Sequence, residues 1–548
     1  MIRPLSISSL ASVALLVGGT LTAQVSFDRI VNANKEPQNW LTYSGNMMSQ
    51  RYSPLAQITP QNVKNLEQKW VFQARSLEKF EATPLVVDGI MYTVQAPNDI
   101  VALDPVTGRV FWTYSYSPSP ASRPCCGRVN RGVAVVGDTL FMGTIDAHLV
   151  AVDAKNGRPL WNTAIAKPEA GYAITHAPLV IKDKVIAGMA GGEFGIRGFI
   201  AAYDVKTGKE DWRFNTIPGP GEPGHETRAG DSWKTGGASV WVTGSYDPAL
   251  NLTYWGIGNA GPDYNGDVRV GDNLYSSSVV ALDADTGKIK WHYQFSPHDE
   301  FDYDAVQVPV LADIVWQGQM RKVMLWANRN GFFYVLDRAT GKFLLGKPFV
   351  EVNWASGFDE AGRPMRIPGK VPTPEGTVIF PGNQGGTNWY SPSFSPRTGL
   401  FYIPSWVNYS SVYIKADADY EEGKRFVGTS PRSLIGGANG GAAKINTRRE
   451  DEGYGAVRAI DPMTGDRKWE YKMADVTDAG ILTTGSDLLF SGGREGYFYA
   501  LDARTGELLW KAVLGGTVAS GPMSYSVAGK QYIAISAGSS LFVFGLRE

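Results

Sequence analysis

One arrangement of apolar and polar positions recurs along the chain. It runs as a small or branched apolar residue, a second apolar residue, Asp, two variable positions, Thr or Asn, Gly, three variable positions and then Trp. Copies lie at Ala102–Trp112, Ala151–Trp161, Ala202–Trp212, Ala281–Trp291, Ala459–Trp469 and Ala500–Trp510, and Val335–Leu345 is a seventh with Leu in the Trp place. Each copy predicts strand, tight turn, strand. Asp opens such a turn by bonding nearby backbone, Gly supplies the positive φ that the turn requires, and Trp offers a large packing surface on the next strand.

The first repeat Asp residues, Asp104, Asp153 and Asp204, stand about fifty positions apart, the length of one four-stranded propeller blade. The interval from Asp337 to Asp461 is more than twice as long and holds a degenerate turn, Ser395–Gly399, followed by Phe401 and Tyr402. Counting that turn as a further unit gives an all-β, eight-bladed β-propeller with Trp-docking repeats. A sheet array closed on itself leaves few exposed edges. Two stretches without the repeat, about 345–390 and 405–455, read as insertions on one face of a single domain over 24–548. Composition agrees: 63 Gly, 16 Trp and 12% aromatic residues suit a turn-rich β protein.

Residues 1–23 have the layout of a secretory signal peptide: basic Arg3, an apolar run from Ile7 to Val17, and small residues ending at Ala23. The run is too short to cross a bilayer and no later segment is long enough, so a periplasmic location without a membrane span is expected. With 52 basic and 53 acidic residues, charge gives no reason to expect nucleic acid as a partner.

Three local patterns carry candidate chemistry. Cys125 and Cys126 are the only cysteines and are neighbours. In an oxidising compartment they can pair, closing almost no loop and so adding little chain-entropy stabilisation, which favours a shaped surface or redox role over a staple. Two reduced, buried thiols are the alternative. The second pattern is a set of oxygen donors: Glu193 after Gly191 and Gly192, Asn259 after Trp255, and the acidic run Asp299–Asp304. Carboxylates with an amide oxygen suit a large hard cation rather than Zn²⁺ or copper; a solvated acidic loop is the plainer reading. The third, Gly256–Gly261, matches Gly-x-Gly-x-x-Gly, but Pro262 and a polar loop follow it where a dinucleotide site needs a helix.

Together, Cys125-Cys-Gly-Arg-Val-Asn-Arg131, Gly192-Glu-Phe-Gly-Ile-Arg197, Trp255 to Asn259 and Pro297-His-Asp-Glu-Phe-Asp-Tyr-Asp304 resemble the quinoprotein alcohol dehydrogenases, which use pyrroloquinoline quinone (PQQ). The resemblance spans nearly the whole chain after residue 23. It implies that Cys125–Cys126 lies against one face of the quinone and Trp241 against the other. Arg131, Thr175 and Glu81 would hold its polar edge beside Gly191 and Gly192. Arg329, Asn388 and Trp389 would flank it. Glu193, Asn259, Asp302 and Asp304 would bind the metal, with Asp302 also the general base and Arg329 supporting the developing negative charge.

The implied reaction is oxidation of a small primary alcohol to the aldehyde. A separate cytochrome c is the expected electron acceptor, since the sequence holds no Cys-x-x-Cys-His haem motif. Asp304 makes a third carboxylate, which matches a lanthanide ion better than Ca²⁺. Ala190 replaces a Ser that often helps bind a cofactor carboxylate, and Ser536–Ser540 lacks a Trp that some members place near the cofactor. The oligomeric state stays open, a homodimer being one candidate. Two rivals remain: a non-enzymatic propeller scaffold for outer-membrane protein assembly, which shares the repeat, and a sugar-oxidising quinoprotein.

Overall fold

The computed structural model describes residues 25–429, 432–433 and 453–547. The signal-peptide expectation for 1–23 therefore falls outside the described residues, as does part of the 405–455 insertion.

Eight four-stranded antiparallel sheets follow one another around a ring, the seventh extended by the short strand Tyr52–Ser53, which pairs in parallel with Leu482–Thr484. The first comprises Leu85–Val87, Ile90–Gln95, Asp99–Leu103 and Val110–Tyr114. The four-strand meander repeats through the seventh sheet, Leu482–Thr484 to Leu508–Val513. The eighth is built differently. Its inner three strands, Met523–Val527, Lys530–Ala537 and Ser540–Leu546, are C-terminal, and its outer strand is the N-terminal Leu66–Gln73, paired from Leu66 with Leu546 to Gln73 with Ser540. The ring is thus locked by hydrogen bonds between the two ends of the chain.

This closure corrects how the blades were counted. Ser395–Gly399 joins the first two strands of the sixth blade, Ser393–Ser395 and Leu400–Val407, whose third and fourth strands flank the Asp461 repeat. It is not a separate unit. The unit without a repeat is the eighth blade, which has no turn between its third and fourth strands because those strands come from opposite chain ends.

The repeat also has a sharper role than a turn with a hydrophobe after it. Its Trp packs onto the repeat Gly of the following blade, so the motif couples blades as well as strands. A Cβ built on Gly157 would stand 2.6 Å from the ring of Trp112, and the same holds for Gly108 with Trp70, Gly208 with Trp161, Gly287 with Trp212, Gly341 with Trp291 and Gly506 with Trp469. Several of these indoles also donate Nε1 to a backbone carbonyl of the next blade, as Trp161 does to Val205 at 3.1 Å and Trp212 to Ala284 at 3.2 Å. Where Leu345 replaces Trp, the Lys347 stem shares the contact with Gly465.

Gly157 and Gly399 both hold positive φ, but nothing lies within 4 Å of a Cβ on Gly399. Replacing either by Ala carries the left-handed backbone cost of about 1–2 kcal/mol. Gly157→Ala adds an overpacking cost of about 1–3 kcal/mol against Trp112. Denaturant titration of the two variants is expected to show the larger loss at Gly157; equal losses would mean that the indole contact contributes nothing.

The interval between the fifth and sixth blades carries a hairpin, Ala355–Phe358 with Pro364–Arg366, and the strand Thr377–Ile379, which forms a small sheet with Ser411–Tyr413 and Arg432–Ser433 from the long connection between the second and third strands of the sixth blade. Among the described residues no helix is long and apolar enough to cross a membrane.

Candidate active site

Within each meander, successive strands run in opposite directions, so the connections divide into two sets. The hairpins from first to second strand and the repeat turns from third to fourth lie on one face. The connections from second to third strand, and from one blade to the next, lie on the other. Every residue singled out for chemistry belongs to the second set. Asp-x-x-Thr-Gly therefore marks the face away from the site, and the irregular connections carry the function.

These connections surround a cavity of about 440 Å³, within the range of a small-molecule site. One wall is basic. Arg131, on the connection into the second blade, is buried with Nη2 2.8 Å from Glu81 Oε2, and its Nη1 donates to Thr175 Oγ1 at 3.2 Å. Its guanidinium lies over Trp389, 4.3 Å from the ring centroid, and over Trp241 at 5.2 Å. Asn388 holds the neighbouring loop, donating to Gln384 O at 3.2 Å.

The facing wall is acidic. Arg329, between the second and third strands of the fifth blade, donates Nη1 to Asp304 Oδ2 at 2.7 Å, Nη2 to Asp302 Oδ2 at 3.0 Å and Nε to Asn383 O at 2.6 Å. Asp304 Oδ1 accepts from Asn259 N at 2.8 Å, and Tyr264 donates its hydroxyl to Asp302 Oδ2 at 3.2 Å. Asp302 is held at φ +59°, an unfavourable conformation for a residue with a Cβ that persists only when its surroundings impose it. Asp299 imposes it here, accepting from Phe301 N at 3.2 Å and Tyr303 N at 2.9 Å. Burial pushes the Asp299 carboxyl up to about 6.

Glu193 sits on the single turn Gly192–Phe194, which leaves Gly191 at φ +120°. Its Oε1 is 3.8 Å from Cys126 Sγ. Cys125 and Cys126 lie side by side on the cavity wall, their Cα atoms 3.8 Å apart and their sulfurs in contact. Gly192 and Asn259 stand just behind the lining: a Cβ on Gly192 would come within 3.3 Å of Asn259 Oδ1. Thus the thirteen other residues singled out line the cavity, and these two support it.

The acidic wall is electrostatically under-compensated. Burial raises the pKa of Glu193, Asp302 and Asp304, repulsion from neighbouring carboxylates adds to the effect at Glu193 and Asp302, and Arg329 opposes it at all three. Arg329 pairs with both aspartates, and the Arg425 charge acts on Glu193. The donors of Glu193, Asn259, Asp302 and Asp304 are all oxygens, the chemistry of a hard cation, although among the described residues Glu193 comes within 4.8 Å of the Cys125 and Cys126 sulfurs while Arg329 holds both aspartates. The opposite, basic wall fits an anionic, planar molecule bordered by Trp241 and the cysteines.

The family described as "Glucose/ethanol/alcohol dehydrogenase, beta-propeller domain" matches residues 40–356. The quinoprotein alcohol dehydrogenase PedH of Pseudomonas putida is 37% identical over 98% of this chain and 92% of its own. The chain belongs to the PQQ-dependent alcohol dehydrogenase family. It is accordingly an oxidoreductase. The lanthanide-dependent methanol dehydrogenase of Methylacidiphilum fumariolicum is 37% identical over 95% of this chain and 88% of its own. A europium-containing methanol dehydrogenase superposes with TM-score 0.87 at 34% identity, covering 95% of this chain and all of that one. The description "Outer membrane protein assembly factor BamB" matches only residues 453–544, a stretch containing two repeat copies; the scaffold alternative goes no further than that shared repeat.

Several cavity residues went unread in the sequence. Asp263 and Tyr264 follow the rejected glycine motif, Lys79 precedes Glu81, and Arg425 comes from the long insertion. None of Ser536–Ser540, where some family members place a Trp, lines the cavity, whose wall includes Asp478 and Arg494, paired at 2.9 Å. A Thr-Asp pair before the first strand of the seventh blade gave no periodic signal.

His176, beside Thr175, is fully buried, and burial together with the Arg131 charge lowers its pKa to about 3. Unfolded, it titrates near its ordinary value, so below about pH 6.5 the unfolded chain binds a proton that the fold rejects. The stability due to its neutral form is complete above that value and is lost as pH falls toward 3, at up to about 1.4 kcal/mol per pH unit. His176→Gln is expected to flatten the acid limb of a stability-against-pH profile; an unchanged slope would contradict the burial argument.

Proposed function

We propose that this protein oxidises small primary alcohols to aldehydes in the periplasm, with PQQ and a lanthanide ion in the cavity and a separate cytochrome c as electron acceptor. The observation that carries this reading is the convergence of Glu193, Asp302 and Asp304 with Arg329 in one buried wall opposite Arg131. In this reading Cys125 and Cys126 form a vicinal disulfide that shapes one side of the quinone pocket, and Trp241 the other. The sulfurs do not turn over.

When bound, PQQ supplies the two-electron acceptor and the cation a Lewis acid. The remaining chemistry belongs to the chain. Arg131 and Thr175 bind carboxylate oxygens of the cofactor, aided by Lys79 and Arg494. Glu193, Asp302, Asp304 and the Asn259 amide oxygen hold the cation. Asp302 takes the proton from the substrate hydroxyl, and Tyr264 and Arg329 fix the orientation of its carboxylate. Arg329 also stabilises negative charge that develops beside it, the kind of preorganised term that weighs most in closed sites. Three carboxylates before any from the cofactor balance a trivalent ion more closely than a divalent one, which supports a lanthanide over Ca²⁺.

Metal-stripped protein reconstituted with PQQ and either La³⁺ or Ca²⁺, then assayed by dye-linked turnover on ethanol, tests the reading. Recovery with La³⁺ is expected. Full recovery with Ca²⁺ alone would overturn the lanthanide assignment, and no turnover with either ion would overturn the alcohol-oxidation reading.

A further inference from the structure

The acidic wall contains one carboxylate more than the proposed cation set uses. Asp263, in the loop between the second and third strands of the fourth blade, is 1% exposed and lines the cavity. Its Oδ1 has no hydrogen-bond partner. The buried Arg269 nearby makes no hydrogen bond to its carboxylate, because its donors reach Pro262 O, Asp263 O, Asp299 O and Asn273 Oδ1. That arginine fixes the backbone of Asp263 and leaves the side chain free to face the cavity. The next residue, Tyr264, donates to Asp302, so this stretch lies on the side of the proposed base.

A buried oxygen without a donor is costly to a fold. At this position an apolar side chain would serve an unsubstituted alkyl alcohol better, since such a substrate has nothing to offer a carboxylate. A ligand with a second donor group would satisfy it. Sites built to bond a polar substituent reject the analogue lacking it far more strongly than apolar pockets reject an added methylene.

We propose that Asp263 is a specificity-determining residue, selecting alcohols that carry an additional hydrogen-bond donor, a second hydroxyl or an ammonium group, over simple alkyl alcohols. The inference rests on the alcohol-oxidation reading above. It assigns Asp263 to the substrate and leaves the cation to Glu193, Asn259, Asp302 and Asp304.

The matched series 1-propanol, 1,3-propanediol and 3-aminopropan-1-ol separates the possibilities in PQQ- and metal-reconstituted enzyme. Wild-type kcat/KM is expected to favour at least one donor-bearing alcohol over 1-propanol by about tenfold or more. Asp263→Leu should lower that ratio by about 10- to 100-fold and raise kcat/KM for 1-propanol. Asp263→Asn distinguishes the donors: a hydroxyl preference survives within about threefold, whereas an ammonium preference falls about tenfold or more with the charge. Competition titration of metal binding supplies a readout independent of turnover, and the metal affinity of both variants should stay within about threefold of wild type while the ratio falls. An unchanged ratio overturns the proposal, as does a fall in metal affinity as large as the fall in ratio, which would make Asp263 a metal ligand. If wild-type enzyme turns over none of the three alcohols, the alcohol-oxidation reading fails, and this inference fails with it.

Discussion

Asp302→Asn is expected to lower kcat on a short primary alcohol by about 10³-fold, within the range for loss of a positioned general base. Asn keeps the volume and one oxygen, so the Tyr264 hydroxyl retains an acceptor. The variant loses the charge that pairs with Arg329 at 3.0 Å and the capacity to take a proton. Steady-state kinetics at saturating alcohol, alongside a metal titration, give the check. A fall of less than about threefold with metal still bound would move the proton acceptor elsewhere, to Glu193 or Asp263 among the neighbouring carboxylates.

Asp304→Ala carries the second large effect. Asp304 Oδ2 pairs with Arg329 and its Oδ1 accepts from Asn259 N, so it ties a proposed metal ligand on one blade to a cationic residue on the next. Its loss removes one of three proposed metal carboxylates and leaves Arg329 with Asp302 alone. The site's preference should then turn from La³⁺ toward Ca²⁺. Affinity for La³⁺ should fall by about 100-fold or more, above the usual range for losing an outer-shell partner. Competition titrations of both ions against the variant measure this directly. Equal losses for the two ions would mean that Asp304 serves the local ion pair and hydrogen bond and does not select the ion.

Much of the fold was legible because the repeat is local. Asp, Thr or Asn, and Gly make their turn within a few residues, and the spacing of successive copies counts strands. The eighth blade was not legible in that way: it is made by pairing Leu66–Gln73 with the far end of the chain, and no short-range pattern reports such a contact. What Trp112 packs against was equally hidden, since its partner Gly157 lies in the next blade.

At the site, the motifs around Cys125, Glu193, Asn259 and Asp302 were readable as residue types, and their convergence is tertiary. Asp263 could have been noticed as the acid standing four positions after Asn259 in a loop otherwise rich in Gly, Ala and Pro. Lys79, Asp478 and Arg494 come from three separate connections and form a wall only once the ring closes.

The proposed metal and PQQ centre in this cavity is built on Glu193, Asn259, Asp302 and Asp304. Anomalous diffraction from crystals grown with PQQ and La³⁺ tests it most directly. The expected result is one strong lanthanum peak bonded to oxygens of these residues, with planar density between Cys125–Cys126 and Trp241. A peak at another site, or none in the cavity with the protein fully folded, would contradict it.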